Sequence, residues 1–242
     1  MRKGGNPMWR NRIFMGAVLL LPLVVPGMAS AALTTSYTGS VSFSSDLEAD
    51  KTITLPSFDT LGGTRTLTDV LVEFFFSGSC DIGVDSDDGD EEFDVNARII
   101  RTWSGTGPDI FPASGTKTYT PVPVVHLGTD NGDGGTLDLS APDGTNFGGV
   151  AFAMEAGTSH NPTESYYDTA GPGTVDFTID VQTIVNDFQS SPDMPDAYQL
   201  DVQNPLLAVY AKVTYTYTPE PATMAMLGLG ALGLAARRRR SR

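Results

Sequence analysis

Hydrophobicity alternates with a period of two through the middle of this chain, and that alternation limits the possible folds more than any other feature. Val70, Val72, Phe74 and Phe76 share one face of an extended segment, with Leu71 and Phe75 on the other. Phe93, Val95, Ala97 and Ile99 alternate with Asp94, Asn96 and Arg98, and Val175, Phe177, Ile179 and Val181 alternate with Asp176, Thr178, Asp180 and Gln182. The last such run sets Val209, Ala211, Val213, Tyr215 and Tyr217 against Tyr210, Lys212, Thr214 and Thr216. Successive side chains of a strand point to opposite faces, so each run offers one apolar face to a core. Gly, Pro, Asn, Asp and Ser separate the runs, and no stretch shows a helical period. The pattern predicts an all-β chain, a single antiparallel β-sandwich domain. Strands are expected at 34–43, 52–55, 64–77 (central and covered on both faces), 92–103, 150–154, 175–182 and 209–217. Segment 117–125 contains Pro121 and Pro123, which suits an edge. Segment 186–203 lacks a strand pattern and admits a helical turn.

Charge is distributed unevenly. Of 15 basic residues, nine lie near the two ends, while residues 33–218 hold 28 acidic residues and only six basic ones. Such a surface repels nucleic acid and anionic lipid and attracts cations. Cys80 is the single cysteine, so no intramolecular disulfide can form, and a lone cysteine is expected to be buried as a small hydrophobe.

The ends read as targeting segments. Arg2, Lys3, Arg10 and Arg12 precede an apolar run from Ile13 to Val25, and Ala29-Ser30-Ala31 supplies the small residues that signal peptidase requires. Residues 1–31 are therefore read as a signal peptide, with the mature chain starting at Ala32 or Leu33. At the other end Pro219-Glu220-Pro221 leads into 15 uncharged, mostly apolar residues, Ala222 to Ala236, closed by Arg237, Arg238, Arg239 and Arg240. The apolar run is shorter than the roughly 20 residues of a comfortable transmembrane helix, and the arginines orient it with the cytoplasm on their side. Motif, hydrophobic segment and basic cluster together resemble the PEP-CTERM sorting signal of Gram-negative, exopolysaccharide-producing bacteria. The resemblance implies recognition by an exosortase, cleavage near Pro219–Pro221, a transient inner-membrane stage, and delivery to the cell surface, outer membrane or extracellular matrix. The chain divides accordingly into 1–31, an acidic β domain over 32–218, and a sorting signal over 219–242.

A second resemblance lies in the domain itself. Ile53-Thr54-Leu55-Pro56-Ser57-Phe58-Asp59, Leu61-Gly62-Gly63-Thr64 and Leu67-Thr68-Asp69-Val70 look like the start of a choice-of-anchor E domain, and 171–180 and 211–217 fit its later strands. The resemblance implies an extracellular β-rich module with no catalytic residues to transfer. An acidic insert at 81–94 and the lack of a long proline-rich linker depart from it.

Candidate chemistry concentrates in two acidic stretches. The first holds Asp85, Asp87, Asp88, Asp90, Glu91, Glu92 and Asp94; the second is Thr129-Asp130-Asn131-Gly132-Asp133-Gly134. Calcium takes six to eight oxygen ligands from carboxylates and loop carbonyls. Asp85, Asp87, Asp88, Asp90, Asp130, Asn131 and Asp133 are the candidate ligands, although neither stretch satisfies the EF-hand template; a solvated hairpin connection explains the first, and a turn between strands is the preferred reading of the second. His126 and His160 belong to no metal-ligand motif, no nucleophile elbow is present, and Gly228 to Gly233 matches a dinucleotide fingerprint only within the apolar tail. Trp103, Tyr119, Tyr166, Tyr167 and Tyr198 could form a sugar-stacking platform if exposed. The chain is thus expected to be a non-enzymatic, exported surface or matrix protein with no cofactor. The alternative is a calcium-dependent, lectin-like module that binds extracellular polysaccharide. Its expected processing partners are signal peptidase and exosortase, and nucleic acid is not an expected partner.

Overall fold

A computed structural model describes residues 31–120, 123–133, 135–220 and 230. Among the described residues eleven strands follow one another: β1 (Leu33–Phe43), β2 (Lys51–Pro56), β3 (Phe58–Asp59), β4 (Arg65–Ser86), β5 (Phe93–Gly107), β6 (Ile110–Tyr119), β7 (Val125–Leu127), β8 (Gly144–His160), β9 (Asp168–Thr169), β10 (Thr174–Ser191) and β11 (Tyr198–Pro219). A 3₁₀ turn, Glu164–Tyr166, precedes β9. One sheet has the order β1-β11-β4-β8; the other has the order β2-β10-β5-β6, with β7 also paired to β5. All pairs in these two sheets are antiparallel, whereas the short β3–β9 pair is parallel.

The expected alternation is what buries the core. Val70, Val72, Phe74 and Phe76 of β4, Phe93 to Ile99 at every second position of β5, and Val209, Val213 and Tyr215 of β11 are all buried. Trp103 fills the centre between the sheets, 5.5 Å from the Phe74 ring and 6.1 Å from that of Phe76. Tyr215 and Tyr167 enter the core only because each phenol donates to a carbonyl, of Pro56 at 2.9 Å and of Pro108 at 2.8 Å. Cys80 is buried, and burial pushes its thiol up, so it stays protonated and inert.

Several expectations need correcting. Segment 186–203 is not helical: β10 runs to Ser191 and β11 begins at Tyr198. Of the strand residues in this segment only Phe188 is buried, so there is no apolar face whose alternation could mark the strands; bulges between Val181 and Thr183 and between Gln203 and Leu206 flank it. The insert at 81–94 begins as strand, since β4 continues to Ser86. The extended segment at 117–125 is interrupted: β6 starts earlier, at Ile110, ends at Tyr119 before Pro121 and Pro123, and lies at the sheet edge. β4 is central, but Leu71 and Phe75 are only half-buried, so among the described residues no second layer covers its outer face.

One polar side chain ties the two sheets together. Arg101 of β5 is fully buried. Its Nε donates to the Leu206 carbonyl at 2.8 Å and its Nη2 to the Ser79 carbonyl at 2.9 Å, both in the β4/β11 sheet. Nη1 donates to the carbonyls of Ile100 and Val185 at 3.1 Å each, and Nη2 also reaches Asn186 Oδ1 at 2.7 Å. The planar fork therefore spends its five N–H groups on both sheets at once, and no lysine could match that. Arg101→Met leaves several buried carbonyls without donors, at about 1–3 kcal/mol for each orphaned group, partly offset by removing a buried charge. The expected outcome in urea denaturation is a net loss of about 3 kcal/mol, with Arg101→Lys falling between the variant and the parent.

Candidate functional site

The acidic pole lies where β4 ends, β11 begins, and the connections after β7 return to the sheet. Tyr198 pairs with Ser86 and Gly144 with Asp85, which brings 85–91, 128–143 and 193–199 side by side. Hydrogen bonds weave these segments together. The Asp88 carboxylate accepts from the amides of Asp90 at 3.0 Å, Glu91 at 3.2 Å and Asp196 at 3.0 Å. Its own carbonyl accepts from the Asp130 amide at 2.8 Å. Those amide bonds hold the Asp88 carboxyl below the usual carboxylate range, and they make it an organiser of the loops rather than a spare ligand.

Asp143, buried and unmentioned in the sequence reading, plays the same part on the other side. It accepts from the Asn131 amide at 2.6 Å and from Asn131 Nδ2 at 3.1 Å. Asn131, an expected ligand, thus gives its amide nitrogen to Asp143. Gly144 follows at a place where any side chain would collide with the Asp138 backbone, so the close return of the chain beside Asp143 requires glycine.

The two acidic stretches, read separately in the sequence, meet in space. Carboxylate oxygens of Asp87, Asp130 and Asp133 all lie within 4.8 Å of one another. Two oxygens on opposite sides of a calcium ion bound at about 2.4 Å are about 4.8 Å apart, so all three could reach one ion. Asp130 also accepts from the Gly132 amide at 2.8 Å, Asp133 Oδ1 from the Gly135 amide at 3.2 Å, and Asp87 from Gln199 Nε2 at 3.2 Å. Among the described residues Asp133 Oδ2 is buried with no hydrogen-bond partner. Asp85, only 1% exposed, accepts from the Asp138 amide at 2.7 Å. Burial pushes its carboxyl up, and the negative charges of Asp133, Asp143 and Asp87 push in the same direction. Asp90 lies exposed at the rim, outside the three-carboxylate group.

The proposed aromatic platform does not assemble. Trp103 and Tyr167 are core residues, and of the other three only Tyr166 and Tyr198 are exposed. Tyr198 stacks edge-on against Phe188 at 4.9 Å. His126 pairs with Asp94 at 2.9 Å and with Glu92 at 3.4 Å on the surface, while His160 packs edge-on to Phe74 at 6.3 Å.

At the opposite end β11 carries straight on into the sorting sequence. Pro219 pairs with Arg65, and the Glu220 amide donates to the Thr64 carbonyl at 3.0 Å. Residues 218–240 match the PEP-CTERM protein-sorting motif. The tail is a PEP-CTERM sorting signal. The chain is accordingly an exported protein, directed to the cell surface through an exosortase. Pro221, Arg237, Arg238, Arg239 and Arg240, the apolar segment other than residue 230, and the signal peptide except its last residue lie outside the described residues. Among the described residues no helix is long and apolar enough to cross a membrane.

No curated protein matches the chain. Among solved structures it is similar to that of infectious bursal disease virus Gx strain, at 12% identity and a TM-score of 0.18, covering 88% of this chain and 50% of that one. The corresponding Gt strain structure shares 13% identity at a TM-score of 0.15, covering 92% of this chain and 52% of that one. The chain spans about half the length of these solved chains, and superpositions this loose say nothing of its role.

The raised Asp85 carboxyl gives a pH test. A carboxyl whose folded value lies above the ordinary 3.8 opposes folding at pH values above its raised value, and the opposition disappears below the ordinary one. In cation-free buffer, Asp85→Asn should therefore raise the urea midpoint at pH 7. Successive titrations at lower pH should show the gain shrinking through that window and disappearing near pH 3.8.

Proposed function

We propose that the mature protein is a non-enzymatic structural or adhesive component of the cell surface or biofilm matrix, released from its tail by exosortase cleavage near Pro219–Pro221. The observation that carries this reading is the sorting motif at residues 218–240, joined without a linker to a sandwich strand. Its choice-of-anchor E-like sequence pattern agrees with an extracellular module. Glu220 is the residue on which processing depends, since it stands at the junction between strand and apolar segment. Intact mass and terminal sequencing of the protein recovered from its host would give a start near Ala32 and an end at 219–221. Glu220→Ala would instead yield a chain that still ends in its arginines. A parent protein retaining Arg237 to Arg240 would make the tail a permanent anchor and defeat the cleavage reading.

A second reading adds calcium and, through it, an extracellular polysaccharide. Its support is the approach of Asp87, Asp130 and Asp133 together with the buried, unpartnered Asp133 Oδ2. A divalent cation there would offset the crowded negative charge and join the 87–91 and 128–143 connections. An ion bound only by the folded state raises the melting temperature as its concentration rises above its dissociation constant. After chelation, millimolar calcium should raise Tm by several degrees in the parent and leave Asp133→Asn unmoved; an unshifted parent removes the calcium reading.

A further inference from the structure

We propose that the end of the sandwich carrying Leu33, Leu61 and Arg65 is a membrane-facing surface that rests on the bilayer while the sorting tail is inserted. The proposal builds on tail insertion, which belongs to the reading above, and adds a docking surface on the folded domain.

The tether dictates proximity. Glu220 is fixed to Thr64 by a 3.0 Å hydrogen bond, and the apolar run begins at Ala222. A chain advances at most about 3.6 Å per residue, so the lipid-seeking segment starts within about 7 Å of Glu220, which is itself bonded to the Thr64 carbonyl. The headgroup layer is itself about 5–8 Å deep on each side of the hydrocarbon core. Whatever side chains occupy this end of the fold must lie among the headgroups.

Those side chains suit that place. Leu61 is 48% exposed and takes a φ of +50°, in a turn completed by Gly62 and Gly63. A bulky apolar residue at positive φ, facing water, is unfavourable both in backbone and in hydration. Gly or Asn would serve the turn better in water, whereas a leucine there gains on contact with lipid. Leu33, 45% exposed, pairs with Tyr217, so the start of the mature chain emerges beside the tail. The Arg65 guanidinium lies 5.4 Å from the centre of the Tyr217 ring, a pairing of cation and aromatic side chain suited to the interface.

Charge does not draw this end to anionic lipid, since Arg65 is outnumbered by Asp59, Asp168 and Glu220, and the contact rests on the tether and the two leucines. The denser Asp85–Asp94 stretch lies at the far end of the 22-residue strand β4. That strand is on the order of 70 Å long, far beyond the Debye length of about 8 Å, so the acidic pole is not repelled by anionic headgroups.

The test uses the full-length chain reconstituted into vesicles of phosphatidylethanolamine and phosphatidylglycerol, with an environment-sensitive fluorophore on Leu61→Cys or Gly89→Cys. Cys80 is buried and should resist labelling, which the parent protein checks; Gly89 is exposed with open space around it. Flotation first reports whether the tail inserts. The expected result is a blue-shifted emission at position 61 that a lipid-borne quencher suppresses, with position 89 unchanged. A floating chain whose position 61 is as wet as position 89 overturns the docking surface and leaves tail insertion standing. Quenching at both positions means the sandwich lies flat, which also overturns it. A chain that does not float removes tail insertion and this proposal together.

Discussion

A buried guanidinium fixes the relation between the two sheets. Hydrophobic burial alone would let one sheet slide over the other at modest cost, because apolar contact has little directionality. Arg101 adds direction: its donors meet carbonyls of Ser79 and Leu206 on one sheet and Ile100 and Val185 on the other. Leu206 lies where β11 shifts register against β4, after Asn204 at a φ of +52°. The segment Tyr198–Gln203 beyond that shift pairs with Asp81–Ser86 and carries β4 to its acidic end. The geometry of the pole therefore depends on an arginine in the middle of the core, and not only on the loops that display the carboxylates.

The pole itself shows how a crowded acidic surface keeps a defined shape. Asp88 and Asp143 spend their charge on backbone amides and so act as internal fasteners. Asp85 is confined between neighbours of like charge, and Asp87, Asp130 and Asp133 converge from different connections. One set of carboxylates orders the loops, and another accumulates the unneutralised charge that a cation would relieve.

Much of the fold was legible because β-alternation is a local signal. The buried faces of β4, β5, β10 and β11 fall on the residues whose spacing marked them. Arg101 occupies an inward position by the same alternation, continuing from Phe93 through Ile99, yet a charged residue discourages that assignment unless its partners are known. The strands within 186–203 were hidden because they bury almost nothing: only Phe188 among their residues is buried, so no period of two shows. At the candidate site the residue types were visible but their partners were not. Nothing local distinguishes Asp88, saturated by three amides, from Asp87 beside it, and nothing in sequence brings Asp130 to Asp87. The aromatic platform failed for a related reason: ring size marks Trp103 and Tyr167 equally well for a surface or for a core.

The pairing of the first strand with the last has a consequence for timing. β11 lies between β1 and β4, so the sheet has a vacancy in its middle until the final strand arrives. A chain threaded outward from its N-terminus would expose β1 and β4 long before residues 198–219 could fill that slot. The sorting motif follows β11 directly, so the strand that fills the slot and the tail would emerge close together. The strand that completes the sheet and the segment that sorts the chain are thus one continuous stretch.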